Sequence, residues 1–131
     1  MTEIELVKKF YEHLANGDRQ SAYCLLSDDF TLKQSTSISY GGEYVGINGL
    51  NDFFKKFSTF WKEFKTLHTD YYFSETKVFA ISQVRGVTSK LERIIETEMI
   101  QVYEINKGKL ISAQPFYFDT KLLTDNYTVK G

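Results

Sequence analysis

The segment from Lys90 to Asp119 constrains the fold of this chain more than any other. It predicts two long strands, Leu91 to Ile105 and Lys109 to Asp119, joined by a tight turn at Asn106-Lys107-Gly108. A glycine where a short hairpin loop needs positive φ, flanked on both sides by β-branched and aromatic residues, is the signal of a β-hairpin. Met99, Gln101, Tyr103 and Ile105 form one row of the first strand, and Glu98, Ile100, Val102 and Glu104 the other. Neither row is purely polar. A strand mixed on both faces is ordinarily covered on both, so helices are expected over one face and a second cover, such as a partner subunit, over the other.

The rest of the composition narrows the class. With 131 residues the chain suits one domain that buries roughly two-thirds of the surface its unfolded form would expose. Apolar residues at 42% and aromatics at 16% are too rich in core material for disorder and supply large side chains to line something. A net charge of −1 provides no basic field for nucleic acid, and Lys55-Lys56 reads as the solvated face of a helix. The single cysteine, Cys24, cannot form an internal disulfide; among Ala22, Tyr23, Leu25 and Leu26 it is expected to be a buried thiol. No residue cluster suggests a metal or cofactor. Met1-Thr2-Glu3 does not open a signal peptide, and no apolar run reaches the ~20 residues of a membrane span, so a cytoplasmic protein is expected.

Taken in order, Ile4, Val7, Tyr11 and Leu14, with Leu6 and Phe10 beside them, predict an amphipathic helix over 3–16, stopped by Asn16-Gly17. Asp18 is the expected N-cap of a second helix, Arg19 to Leu26, ending at Ser27-Asp28-Asp29. Phe30 to Gln34 reads as extended, and Ser35 to Ser39 with Gly41-Gly42 as a loop. Asn48 is the expected N-cap of a third helix carrying Leu50, Phe53, Phe54, Phe57, Phe60, Trp61 and Phe64 on one stripe. Stiff rings in such number define walls better than they fill corners, which favours a cavity. Beyond Phe64 the period changes to two. Leu67 to Phe73, Val78 to Thr88 and the two hairpin strands form a curved antiparallel meander. The register of residues 66–90 stays open. Three helices before a long-stranded sheet give an α+β domain over 1–120, followed by a tail, 121–131, in which Lys121-Leu122-Leu123 can form one helical turn.

Several phrases in this order resemble the nuclear transport factor 2-like superfamily, in its SnoaL-like and ketosteroid-isomerase-like branch. They are Phe10-Tyr11-Glu12 with Asn16-Gly17-Asp18, then Leu26-Ser27-Asp28-Asp29-Phe30-Thr31, then Tyr44-Val45-Gly46-Ile47 before Leu50-Asn51-Asp52-Phe53-Phe54, and last Asn106-Lys107-Gly108-Lys109-Leu110 with Phe116-Tyr117-Phe118-Asp119. The resemblance spans roughly residues 4–120 and implies a cone in which a curved sheet wraps an apolar pocket closed by three helices. It also implies homodimers paired through the outer sheet face, which would cover Ile100 and Val102. The superfamily contains isomerases, cyclases, dehydratases, epoxide hydrolases and binding modules, so fold alone assigns no function.

Carried over residue by residue, the family's catalytic positions are changed. The carboxylate base of ketosteroid isomerases falls on Gln34, the oxyanion tyrosine on Phe10, its supporting tyrosine on Phe54, a further tyrosine on Leu26, and the oxyanion acid on or near Gln101. None of these side chains exchanges protons near neutral pH, and an amide cannot abstract a carbon-bound proton. The acid of SnoaL-type cyclases falls on Pro115. The arginine-aspartate relay of limonene epoxide hydrolases is missing, since Arg85 is followed two residues on by Val87 and Arg93 by Ile95. The paired histidines of scytalone dehydratases have no counterpart beyond His13 and His68, which nothing in the sequence brings together.

The resulting expectation is a small-molecule-binding protein whose pocket is formed by Phe10, Gln34, Phe54, Trp61, Met99, Gln101, Pro115 and Tyr117. Gln34 and Gln101 would offer hydrogen bonds without charge. Asp119 can cap the turn after the last strand, and His68, alternating with Asp70, can have its imidazole tuned. These two are the candidate proton-transfer groups of an alternative reading: an isomerase, cyclase or dehydratase acting on a polyketide-like or steroid-like substrate. A further alternative is a protein-interaction module using the outer sheet face around Ile100 and Val102.

Overall fold

A computed structural model of the chain describes residues 1–125, and residues 126–131 of the expected tail lie outside it. The elements run α1 (Glu3–Ala15), α2 (Arg19–Tyr23), β1 (Leu26–Gln34), β2 (Gly42–Val45), α3 (Gly46–Phe60), β3 (Trp61–Ser74), β4 (Lys77–Thr88), β5 (Ile94–Asn106), β6 (Lys109–Tyr117) and α4 (Thr120–Asp125). The hairpin at the centre of the sequence forms. Asn106 pairs with Lys109, and Lys107 (φ 52°) and Gly108 (φ 72°) both take left-handed conformations between them. Positive φ at both central residues is the type I′ pattern, whose twist matches that of the strands it joins.

Strands β3 to β6 form the expected meander in a six-stranded sheet ordered β2-β1-β6-β5-β4-β3. The end strands β2 and β3 do not pair, so the sheet curves without closing. It is not antiparallel throughout, because β1 lies parallel to β6. A parallel neighbour requires a long crossover, and the whole of β2 to β5 intervenes between these two strands. Along β4, Val78, Ala80, Ser82, Val84, Gly86 and Thr88 are buried while the residues between them are not. This is the period-two signature of a sheet with one face on the core. The structure also settles the open register, with Asp70 opposite Ile81 and Ile81 opposite Ile100.

Against the inner face, α1 packs Leu6, Val7 and Phe10, and α3 packs Leu50, Phe53 and Phe60. Thr2 caps α1 by accepting from the Glu5 amide, and Asp18 caps α2 as expected, accepting from the Ser21 amide at 3.1 Å. None of the helices is long and apolar enough to cross a membrane among the described residues.

Several boundaries differ from the sequence reading. Helix α3 starts after Val45, without a side-chain cap, rather than at Asn48. It ends at Phe60, and the chain turns straight into β3, so Trp61 and Phe64 belong to a strand paired with Thr88 and Gly86. The aromatic run carries helical and strand character at once, and long-range pairing decides between them. Strand β1 starts at Leu26 rather than Phe30, absorbing Ser27-Asp28-Asp29 in a shift of register between Leu26 and Thr31. Gly42, expected in a loop, opens an edge strand that the sequence reading did not include, β2. Strand β5 begins at Ile94 and β6 ends at Tyr117, each shorter than expected. Helix α2 closes at Tyr23, which leaves Cys24 at its C-cap, exposed rather than buried. The expected turn at Lys121-Leu122-Leu123 lies within α4, and Leu123 is completely buried.

Candidate functional site

Between α1, α3 and the inner faces of β1, β5 and β6 lies a cavity of about 150 Å³. Helix α1 contributes Phe10, Tyr11 and Leu14, and α3 contributes Leu50, Phe53, Phe54 and Phe57. Spacings of three and four residues place each set on one helix face. The strands contribute alternate residues: Phe30, Leu32 and Gln34 from β1; Met99, Gln101 and Tyr103 from β5; Ala113, Pro115 and Tyr117 from β6. The rings pack edge to face, with Phe10 at 6.3 Å from Tyr103 and Phe57 at 5.0 Å from Phe64 between centroids.

Of the eight pocket residues expected from sequence, seven share this cavity wall: Phe10, Gln34, Phe54, Met99, Gln101, Pro115 and Tyr117. Trp61 is not on it. Its indole lies between Phe60 (4.7 Å between ring centroids) and Phe64 (5.1 Å), behind the wall. The reason is the early end of α3, which moves Trp61 from the helical stripe to the start of β3. His68 lies on β3 and is exposed, with Nε2 at 2.9 Å from Asp70 Oδ1. Asp119 is exposed after β6, where its backbone carbonyl accepts from the Leu122 amide at 3.2 Å. Neither lines the cavity.

The polar groups of the cavity are amides and phenols. The Tyr103 hydroxyl lies 2.8 Å from the Tyr11 hydroxyl and 3.1 Å from Gln101 Oε1. A phenol has one proton but also accepts, so Tyr103 can donate to only one of them at a time, and both contacts are satisfied when it donates to Gln101 and accepts from Tyr11. On the opposite side, Trp61 Nε1 donates to the Tyr40 hydroxyl at 3.2 Å, and the Tyr40 and Tyr117 hydroxyls are 2.9 Å apart. Gln34 is buried, and its Oε1 has no hydrogen-bond partner. Burial is the first cause that raises the pKa of Tyr11, Tyr103 and Tyr117 above the ordinary phenol value, and it lifts that of Tyr40 to about 12. All four phenols are therefore neutral at neutral pH. The cavity wall carries no carboxylate, imidazole, amine, guanidinium or thiol, and no group of three potential metal ligands occurs among the described residues. Such a wall selects by shape and by neutral hydrogen bonds; it contains no group poised to exchange a proton near pH 7.

Sequence reasoning did not single out Tyr11, Phe30, Phe53, Phe57 or Tyr103 as pocket residues. Tyr103 was within reach, since it shares the inward row with Gln101 at a spacing of two. Tyr40, whose hydroxyl joins Trp61 to Tyr117, comes from a segment without periodicity and carried no signal.

The order of elements and the curved, unclosed sheet define the class: this is the nuclear transport factor 2-like fold. Among solved structures it is similar to a nuclear transport factor 2-like protein of unknown function from Burkholderia pseudomallei, with a TM-score of 0.88, 16% identity and coverage of 98% of this chain and 100% of that one. It is also similar to a candidate polyketide cyclase of Pseudomonas putida (TM-score 0.77, 18% identity, covering 98% and 99%). A third similar structure is that of TerC co-crystallised with polyporic acid (TM-score 0.83, 14% identity, covering 95% and 96%). No family model matches the sequence. No curated protein matches it either.

Proposed function

We propose that this chain is a small-molecule-binding protein whose internal cavity holds a neutral, largely apolar ligand. The observation that carries the reading is a cavity of about 150 Å³ walled by aromatic rings, amides and un-ionised phenols. The apolar wall of such a space lacks the packing partners a filled core would give it, which costs stability. A chain that keeps the space open therefore has a use for it. The absence of charge on the wall disfavours ions, because a buried charge without a partner is strongly penalised.

Size separates this reading from the enzymatic alternative. Pockets for drug-sized ligands start at ~300 Å³, whereas a dry cavity of ~150 Å³ accommodates benzene. A steroid-like or polyketide-like substrate would need the wall to open, and His68 and Asp119, the proton-transfer candidates for such chemistry, lie outside it. TerC, one of the structural neighbours, was crystallised with a small molecule, which supports ligand binding by this fold in general.

Ala113 lines the cavity and is buried. Ala113→Leu fills the space from the sheet side and is expected to weaken binding of a one-ring probe such as toluene at least tenfold, while the circular dichroism of the fold persists. Calorimetric titration checks this, and unchanged affinity would remove the cavity as the site. Native mass spectrometry of the purified protein reads any retained compound directly.

The reading includes a homodimer through the outer sheet face. Phe116, Ile100 and Ile81 lie in register across β6, β5 and β4, and Val102, Phe79 and Tyr72 form the neighbouring row. Phe116 is 51% exposed and Tyr72 56%. Arg85–Glu96 and His68–Asp70 pairs border this apolar strip. Ile100→Glu is expected to turn a dimer into a monomer in analytical ultracentrifugation; a wild-type monomer would instead favour the interaction-module reading.

A further inference from the structure

Gln34 stands at a junction. Together with Pro115 and Tyr117 it lines the inner cavity, and the same three residues line a second, outward cleft bounded by Ser35, Thr36 and Thr120. The pairing of β1 with β6 is recorded as far as Leu32 and Ala113. Continued by two residues, it would bring Gln34 opposite Pro115, which has no amide hydrogen to extend a ladder. Gln34, Pro115 and Tyr117 therefore stand between the inner cavity and that outward cleft, and they form one polar end of the cavity.

The hydrogen bonds at this end do not balance. Gln34 is 8% exposed, and its Oε1 is a buried acceptor without a donor. The Trp61, Tyr40 and Tyr117 group contains three polar hydrogens but only two contacts between its members, at 3.2 Å and 2.9 Å. Whichever way the hydroxyls turn, one phenol proton of the Tyr40–Tyr117 pair is left over. A buried acceptor and a spare donor that do not bond to each other are both satisfied by a group that donates and accepts at once.

We propose that the ligand is a small single-ring phenol or aromatic alcohol. Its ring occupies the aromatic cavity, and its hydroxyl sits at this polar end, donating to Gln34 Oε1 and accepting from the phenol network through Tyr117. The proposal rests on the reading of the cavity as a binding site. A carboxylic acid is disfavoured because no cation lines the cavity, and an amine because no anion does. A carbonyl compound leaves Gln34 Oε1 without a donor. An unsubstituted hydrocarbon leaves both groups unsatisfied, and that is the basis for discrimination.

The test titrates the full chain with phenol, toluene and benzaldehyde, matched in size and differing in hydrogen bonding, and repeats the series with Gln34→Leu. Phenol is expected to bind about tenfold or more tighter than toluene, with benzaldehyde close to toluene. Gln34→Leu is expected to erase the preference while toluene still binds, and to raise the melting temperature, because the unsatisfied amide is gone. Gln34→Met, an unbranched apolar replacement, gives the same loss and guards against a packing effect particular to leucine. Equal binding of all three probes by the wild type would overturn the hydroxyl assignment and leave the cavity reading intact. A phenol preference that survives both substitutions, or tighter binding of benzaldehyde, would also overturn it. Failure of every probe to bind would overturn the cavity reading itself and this inference with it.

Discussion

Above pH 10 this protein is expected to unfold cooperatively, losing its structure over less than about two pH units. Tyr40, Tyr103 and Tyr117 are buried and Tyr11 is partly buried around the cavity, and in each burial is the largest cause raising the pKa. In the unfolded chain these phenols ionise near the ordinary value of ~10. The sign follows from linkage. A group whose folded value is raised contributes stability that is complete below the unfolded value and is lost as pH climbs toward the folded one. For Tyr40 that window runs from the ordinary phenol value to about 12. Each such group costs roughly 1.4 kcal/mol per pH unit inside its window, so the four together approach ~5 kcal/mol per unit. Against a total stability of ~5–15 kcal/mol, that slope is decisive. Stopped-flow absorbance of tyrosinate and far-ultraviolet circular dichroism should change together, with several protons released per molecule unfolded. Four tyrosines that titrate independently near the ordinary value while the fold persists would show that the cavity walls are wet.

The same tyrosines mark the boundary of what the sequence reveals. The hairpin, the inward row of Met99, Gln101 and Tyr103, and the cap at Asp18 rest on local rules: turn chemistry, alternation and side-chain capping. Each of these was legible because a few neighbouring residues determine it. Seven of the expected pocket residues reach the cavity because parity along β5 and β6 and helical spacing along α1 and α3 survive the details of packing. The errors cluster where a long-range pairing overrides a local pattern. Trp61 and Phe64 continue the aromatic stripe of α3 at helical spacing, yet the opposing strand β4 claims them for β3. Strand β2 is four residues long and exists because β1 pairs with it, so no period within residues 42–45 could announce it. The polar imbalance at Gln34 was equally hidden, since an orphaned acceptor is a statement about every neighbour at once.

Gly86→Ala is expected to destabilise the protein by about 3 kcal/mol, the upper end of ordinary overpacking and large for the addition of one methyl group. Gly86 is opposite Phe64 in the β3–β4 ladder, and the Trp61 indole occupies the space where its β-carbon would be. A β-carbon built there falls inside the van der Waals surface of indole atoms Cζ3 and Cε3 and 3.2 Å from the Glu63 carbonyl oxygen. The indole has no room to swing aside, since Phe57, Phe60 and Phe64 surround it with centroids at 6.4, 4.7 and 5.1 Å. Its Nε1 is also committed to the Tyr40 hydroxyl. Trp61 thereby fixes the junction of α3 with β3, and through it the aromatic helix that roofs the cavity. A double-mutant cycle isolates the clash. Trp61→Leu alone should cost several kcal/mol as a large-to-small change in the core, but in that background Gly86→Ala should cost little, giving a coupling energy of about 2 kcal/mol. Urea denaturation of the four proteins measures it, and additive costs would mean that the glycine serves backbone geometry instead. Because Trp61 stands behind the cavity wall, whichever of these variants remains folded should bind a one-ring probe within a few-fold of the wild type, so that loss of stability and loss of binding part company at this residue.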